Sequence, residues 1–200
     1  MDIQAKPVAD SITQAIPKPR PELLPGEGCP SISVVAPAFN EQEVLEEFYR
    51  RVTSVLCGLG CSYEIVLVND GSSDHTLALM HGLHIKDSRV SVVDLSRNFG
   101  KEIALTAGLD HAHGDVIVVL DADLQDPPEL IPEMLEGWRE GYEIVYGVRS
   151  KRDGETWMKK ASASAFYRLI QRVSRVRIPR DTGDFRLMTR RAIGEMGRLR

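Results

Sequence analysis

Short apolar runs alternate with longer amphipathic stretches along most of this chain. The apolar runs are rich in Val, Ile and Leu, which is typical of buried strands, and they lie at about 31–36, 63–69, 90–95, 115–120 and 142–147. The stretches between them have helical spacing, at about 41–58, 73–84, 101–112 and 128–140. A further short strand follows Asp181, with a last helix near 190–197. This alternation predicts βαβ units and an α/β fold with a mostly parallel sheet covered by helices on both faces.

Capping and breaking residues mark the predicted helix starts. Asn40 precedes the first helix as a cap, and Ser73 or Asp74 caps the second. Gly100 precedes the third helix, and Pro127-Pro128 opens the fourth. Because parallel strands in such a sheet end at one edge, polar residues at the strand ends are predicted to be neighbours at a ligand site.

Two carboxylates separated by one residue follow the fourth apolar run. Asp121 and Asp123, with Gln125 close behind, offer hard oxygen donors that suit Mg²⁺ or Mn²⁺ held jointly with a phosphorylated substrate. A lone Asp-x-Asp is more often a solvated turn. Here the first and second runs also end in polar groups, at Pro37–Glu41 and at Asp70. Asp70 could instead serve only to cap the following helix, but three polar strand ends together favour a ligand site.

Length and composition allow one sizeable core and, most simply, one domain. Residues 1–29 are rich in proline and lack an apolar block, so we expect a disordered tail. No run of 18 uninterrupted apolar residues occurs, which argues against a transmembrane helix in these 200 residues. The three cysteines, Cys29, Cys57 and Cys61, fit a reducing compartment better than a disulfide framework.

The net charge of −4 conceals an uneven distribution. Residues 149–200 hold fifteen Lys and Arg against five Asp and Glu, whereas residues 1–148 hold ten against twenty-four. A basic end on an acidic body indicates an anionic partner, and a phospholipid surface or lipid phosphate is favoured over nucleic acid. Residues 156–176 have helical apolar spacing among basic residues, with Trp157 near the start. This pattern fits a helix on a membrane surface, or equally an ordinary surface helix packed on the sheet.

Five segments resemble the GT-A family 2 glycosyltransferases, in the family's order. They are PAFNE (37–41), VNDGSSD (68–74), SRNFGK (96–101), GDVIVVLDADLQDPPE (114–129) and GDFRLM (183–188). Within that family the chain is most similar to polyprenyl-phosphate glycosyltransferases, such as dolichyl-phosphate mannose synthase and the bacterial undecaprenyl-phosphate sugar transferases. The resemblance covers residues 31 to about 198 and implies a GT-A domain over residues 30–200.

The resemblance also implies roles for individual residues. The nucleotide-binding residues would be Pro37, Phe39, Glu41, Asp70, Asp121 and Ala122, the last through its backbone. The metal ligands would be Asp121, Asp123 and Gln125. Asp184 would be the catalytic base or an acceptor-positioning group, acting with Asp123, and Arg149 and Lys160 would bind the acceptor phosphate. Lys101 could touch phosphate, but we expect a solvated residue at a helix start.

The implied activity is inverting, metal-dependent transfer of a sugar to polyprenyl (undecaprenyl) phosphate at the cytoplasmic side of the bacterial inner membrane. The donor would be a nucleotide-diphosphate sugar, with UDP favoured over GDP through the bacterial likeness, and the cofactor Mg²⁺ or Mn²⁺. We expect an anionic membrane surface as a partner and no nucleic acid, and leave homo-oligomer formation open. The family's C-terminal transmembrane part is expected to be absent from this chain. An inactive nucleotide-sugar-binding fragment, or a family 2 transferase with a glycan or other non-lipid acceptor, therefore remain alternatives.

Overall fold

The computed structural model describes residues 28–148 and 182–198. Their strands are β1 (Ile32–Ala38), β2 (Tyr63–Asn69), β3 (Val90–Asp94), β4 (Val116–Val119), β5 (Ile144–Val148) and β6 (Thr182–Thr189). Their helices are α1 (Leu45–Leu59), α2 (Thr76–Lys86), α3 (Lys101–His111), α4 (Ile131–Arg139) and α5 (Arg190–Gly197), with a 3₁₀ turn at Pro128–Leu130 before α4. The predicted order of strands and helices is confirmed for this part of the chain.

The six described strands form one sheet in the order β3-β2-β1-β4-β6-β5. β1 pairs in parallel with β2 and β4, and β2 pairs in parallel with β3. β6 inserts antiparallel between β4 and β5. All seven residues of β1 are buried, as expected for a central strand covered on both faces. The α/β fold with a mostly parallel sheet is therefore confirmed.

Alternating side chains of the central strands feed two separate apolar layers. Val34 and Ala36 belong to the layer that includes Phe48 of α1 and Leu135 of α4. Val35 belongs to the opposite layer, with Val66, Val68 and Leu109 among its members. α3 approaches this second face closely: a Cβ at Gly108 would lie 2.4 Å from Cγ1 of Val35. Packing against these two layers fixes the position of the strands, and with it the position of their carboxyl ends.

The predicted cap at Asn40 is wrong. Asn40 has φ 58° and α1 begins only at Leu45, so Asn40 belongs to the turn after β1. Its Oδ1 accepts a 2.8 Å hydrogen bond from the backbone N–H of Ser73, which ties the ends of β1 and β2 together. The predicted cap of α2 at Ser73 or Asp74 is also wrong, since the N-cap residue is His75, although Oδ1 of Asp74 accepts the backbone N–H of Thr76 at 2.9 Å.

The expectation of unpaired cysteines is wrong for two of the three. Cys29 and Cys61 form a disulfide, with their Cα atoms 5.2 Å apart. The parallel register explains the pairing, since Ile32 lies opposite Tyr63 and donates its N–H to the carbonyl of Ser62 at 2.9 Å. Residues just before β1 and β2 are thereby brought side by side, which spacing in the sequence does not reveal. Cys57 is an exposed free thiol.

In residues 28–148 and 182–198, no helix is both long and apolar enough to cross a membrane. The predicted disordered tail lies outside the described residues except for its last two positions. The predicted basic helix at 156–176 lies outside them entirely.

Candidate active site

A cavity of about 290 Å³ lies at the carboxyl edge of the sheet, where β1, β2 and β4 end. All six predicted nucleotide-binding residues line it, namely Pro37, Phe39, Glu41, Asp70, Asp121 and Ala122. Asp123 lines it as well. The remaining lining residues are Ala38, then Asn98 and Gly100 of the loop before α3, and Lys101, the first residue of α3. The sequence argument that polar strand ends meet at one edge therefore places these side chains correctly.

Asp70 has a structural role that the sequence analysis missed. Its Oδ1 accepts the backbone N–H of Phe99 at 2.8 Å, and its Oδ2 accepts that of Gly100 at 3.0 Å. The side chain is almost fully buried. A carboxylate oxygen has more than one acceptor site, so a nucleotide contact stays compatible with these bonds. Through these two bonds, Asp70 anchors the loop that leads into α3.

The loop anchored by Asp70 sits directly on the turn after β2. Gly71 has φ 68°, and a Cβ there would lie 2.4 Å from the backbone of Arg97 and of Asn98. Two backbones can approach this closely only because residue 71 has no side chain. The SRNFGK segment could have been chosen as site-forming from its motif, but the only contact considered for it from the sequence was one between Lys101 and phosphate.

The segment after β4 turns sharply at Leu124, whose φ is 61°. Oδ1 of Asp123 accepts the backbone N–H of Gln125 at 2.9 Å and so holds this turn. The side chains of Asp121 and Asp123 line the cavity, whereas Gln125 is exposed and is not part of its lining. The predicted three-residue metal set is therefore brought together only in part.

Lys101 is exposed at a helix start, as expected, but it also makes an ion pair at the cavity. Its Nζ lies 2.5 Å from Oδ2 of Asp121, with the two side chains 40% and 19% exposed. Lys101 is the first residue of α3, so this ion pair joins the anchored loop to the segment after β4. A basic group therefore lies beside the first of the two aspartates.

The cavity is rich in negative charge. The pKa of Glu41 is raised above its ordinary value, chiefly by burial and then by the nearby carboxylates of Asp123, Asp74 and Asp121. Carboxylates grouped in this way favour the entry of cations. Among the described residues, no three His, Cys, Asp or Glu side chains are grouped so that they could hold a metal ion by themselves.

Only one of the three predicted acceptor-side residues lies in the part of the chain that the structure describes. Arg149 and Lys160 lie outside the described residues. Asp184 lies in β6, two positions before Arg186, which pairs with Val119 at the end of β4. The backbone of Asp184 is thus at the sheet edge where β4 leads into Asp121.

A sequence model of the glycosyl transferase family 2 matches residues 33–197, which is most of the chain. This chain belongs to glycosyl transferase family 2. The family predicted from the five segments is thereby confirmed.

Similar proteins include both characterised and uncharacterised transferases. The uncharacterized glycosyltransferase YkcC of Bacillus subtilis is 52% identical over 168 residues, 84% of this chain and 52% of that protein. The bactoprenol glucosyl transferase of Shigella phage SfV is 43% identical over 162 residues, 81% of this chain and 53% of that protein. The chain therefore spans about half the length of the curated relatives it matches.

A solved structure supports the fold. The mannosyltransferase PcManGT of Pyrobaculum calidifontis, in complex with GDP-Man and Mn²⁺, has a TM-score of 0.59 and 22% identity. The match covers 86% of this chain and 48% of that one. At this identity the likeness establishes a shared GT-A architecture and no more.

Proposed function

We propose that this chain carries the catalytic domain of an inverting transferase that moves a hexosyl residue from a UDP-sugar to polyprenyl phosphate. The proposal places the reaction at the cytoplasmic face of the bacterial inner membrane. The observation that carries it is the single cavity in which the ends of β1 and β2 meet Asp121 and Asp123. The name of the 43% identical phage relative, a bactoprenol glucosyl transferase, supports a polyprenyl phosphate acceptor and a glucosyl donor.

The donor nucleotide is proposed to bind at the ends of β1 and β2. Phe39 is 44% exposed at the cavity and offers an apolar ring face to a base. Glu41 and Asp70 supply carboxylate oxygens that can accept hydrogen bonds from base or ribose donors. The cavity therefore combines an apolar surface with the acceptors that a nucleoside requires.

The residues after β4 fit a divalent cation that is shared with the substrate. Asp121 and Asp123 offer two hard oxygen ligands, and Mg²⁺ is commonly held by one or two carboxylates together with substrate phosphates and water. When bound, such a cation stabilises the charge that develops on a departing nucleoside diphosphate. Gln125 would join the set only after its exposed side chain turns inward.

The acceptor side is proposed to work mainly by positive charge. A phosphomonoester has a second pKa near ~6, so a polyprenyl phosphate is mostly ionised at neutral pH and needs little help from a base. Arg149, which directly follows the last residue of β5, and Lys160 are proposed to orient this phosphate. Asp184 is proposed to position the acceptor or to act as the base.

A transfer assay tests the proposal. The 200-residue chain is incubated with undecaprenyl phosphate, Mn²⁺ and radiolabelled UDP-glucose, UDP-galactose or GDP-mannose, and lipid-linked label is counted. We expect label from a UDP-sugar, loss of label with EDTA, and a rate lowered at least about 100-fold in Asp123→Asn because transition-state charge is less stabilised. Glu140→Gln, an exposed carboxylate just after α4, is the matched control and should leave the rate unchanged.

Three other results would overturn the proposal. Donor binding without transfer would favour the nucleotide-sugar-binding fragment. Transfer to a glycan but not to the lipid would favour the other acceptor class. Full activity of Asp123→Asn in EDTA would show that the reaction needs no metal.

A further inference from the structure

Lys101 occupies a position that a divalent cation would contest. Its Nζ lies 2.5 Å from Oδ2 of Asp121, and both side chains line the cavity proposed for the donor. A divalent ion that binds the same carboxylate is repelled by the ammonium that the carboxylate already holds at this distance. The ion pair and a metal bound at Asp121 are therefore mutually unfavourable.

The backbone at the base of this lysine is held in place by hydrogen bonds, whereas its side chain can rotate to another partner. Gly100, directly before Lys101, donates its N–H to Asp70 at 3.0 Å, and Phe99 donates to the same carboxylate at 2.8 Å. Gly71 admits the close backbone of Arg97 and Asn98, so the loop lies firmly on the turn after β2. Beyond that base, a lysine has a flexible four-carbon stem with a mobile charged end. A change of partner requires side-chain rotation only.

We propose that Lys101 is an exchangeable counter-ion, which pairs with Asp121 and moves to the diphosphate of the donor when metal and nucleotide bind. This inference rests on the proposed function, since it takes a nucleoside diphosphate as the ligand. The diphosphate is the anion that arrives in the cavity that Lys101 lines. The ammonium of Lys101 leaves one anion for another, so it is paired both before and after the exchange.

Several carboxylates lie close to Asp121 and explain the need for a positive group beside it. Glu41 and Asp123 line the cavity together with Asp121, and Asp74 lies close enough to affect the ionisation of Glu41. Without a cation beside them, these groups repel one another at the carboxyl edge of the sheet. Lys101 supplies positive charge directly beside Asp121.

Binding measurements on the intact 200-residue chain test the exchange, with Mn²⁺ and UDP as probes. Mn²⁺ alone is titrated by electron paramagnetic resonance, and UDP is titrated by calorimetry at saturating Mn²⁺. Lys101→Met should bind Mn²⁺ alone several-fold more tightly, since the competing ammonium is gone, and should bind UDP at least about tenfold more weakly, since a charge-assisted contact is lost. Lys101→Arg keeps the charge and should keep UDP affinity within about threefold of the original.

Lys86→Met is the matched control, because Lys86 is exposed at the far end of α2 and carries the same charge. It should change neither affinity. Unchanged or weaker Mn²⁺ binding in Lys101→Met would overturn the counter-ion role, and unchanged UDP binding would overturn the move to diphosphate. If the original chain binds Mn²⁺ but not UDP, the proposed function fails, while the titration of Mn²⁺ alone still decides the role of Lys101 at Asp121.

Discussion

Gly60 and Gly71 have nearly the same left-handed backbone and differ in what surrounds them. Their φ angles are 67° and 68°. A Cβ at Gly60 would meet nothing within 4 Å, whereas one at Gly71 would lie 2.4 Å from backbone atoms of Arg97 and Asn98. Comparing the two glycines therefore separates the cost of the backbone conformation from the cost of steric overlap with the loop before α3.

Alanine at these two positions should therefore have unequal effects. Gly60→Ala should lower the free energy of unfolding by about 1 kcal/mol, the cost of a left-handed alanine. Gly71→Ala should lower it by about 3 kcal/mol or more, because steric overlap is added and the loop before α3 must move. Urea unfolding of both variants gives the difference, and UDP titration should show weaker binding for Gly71→Ala alone. Equal unfolding costs would mean that the loop yields without penalty.

At the residue scale, the sequence predicted which side chains line the cavity better than it predicted their contacts and exposure. Asp121 and Asp123 were recognised because a buried strand ends directly before them. The two donors to Asp70 come from residues 29 and 30 positions later, and no local pattern signals so distant a backbone contact. Gln125 was expected among the ligands, but its side chain is exposed after the turn at Leu124.

At the element scale, strands were predicted more accurately than helix starts. β2 begins and ends where its apolar run does, at residues 63 and 69. α1 was expected to begin near residue 41 but begins at Leu45. The backbone N–H of Glu41 donates to Oγ1 of Thr76 at 2.8 Å, a tertiary contact that helical propensity does not record. The antiparallel insertion of β6 between β4 and β5 has the same non-local character.

One carboxylate connects α1 to the start of β3. Asp87 is almost fully buried and accepts hydrogen bonds from Tyr49 Oη at 2.8 Å and from Arg89 Nε at 2.9 Å and Nη2 at 3.0 Å. The hydrogen bonds from Arg89 are the main reason that the pKa of Asp87 is lowered to about 2. An unfolded Asp has a pKa of about 3.9, so the ionised form stabilises the folded chain above that pH.

Asp87→Asn should therefore destabilise the fold in a pH-dependent way. At pH 7 we expect a loss on the order of 2 kcal/mol, because the charged acceptor is gone. The stability that Asp87 contributes is lost as the pH falls from about 4 toward about 2, so the original and the variant should converge over that interval. Urea unfolding across this range is the measurement, with the exposed Glu140→Gln as the control. A gap that stays constant down to pH 2 would show that packing, rather than charge, explains the loss.

At the scale of the whole molecule, charge divides the chain into two parts. Residues 149–200 carry a net charge of +10, and residues 1–148 carry −14. The acidic residues that line the cavity belong to residues 1–148. The basic residues 149–200 therefore have no evident role in holding a metal. A surface that presents anionic lipid would attract the basic part and orient the rest of the domain above it.

This division predicts binding to anionic vesicles that weakens with salt. The chain should sediment with phosphatidylglycerol vesicles at low ionic strength and not with phosphatidylcholine vesicles, and binding should decline as the screening length falls from about 10 Å at 0.1 M salt to about 3 Å at 1 M. Each basic residue near such a surface contributes roughly 1 kcal/mol, so Lys159→Gln with Lys160→Gln should weaken binding about 10- to 30-fold. Lys86→Gln with Arg139→Gln removes the same charge from exposed positions in the acidic part and should have little effect. An equal loss in the two double variants would mean that net charge alone is sensed, and no sedimentation at low salt would leave the basic segment as an ordinary protein surface.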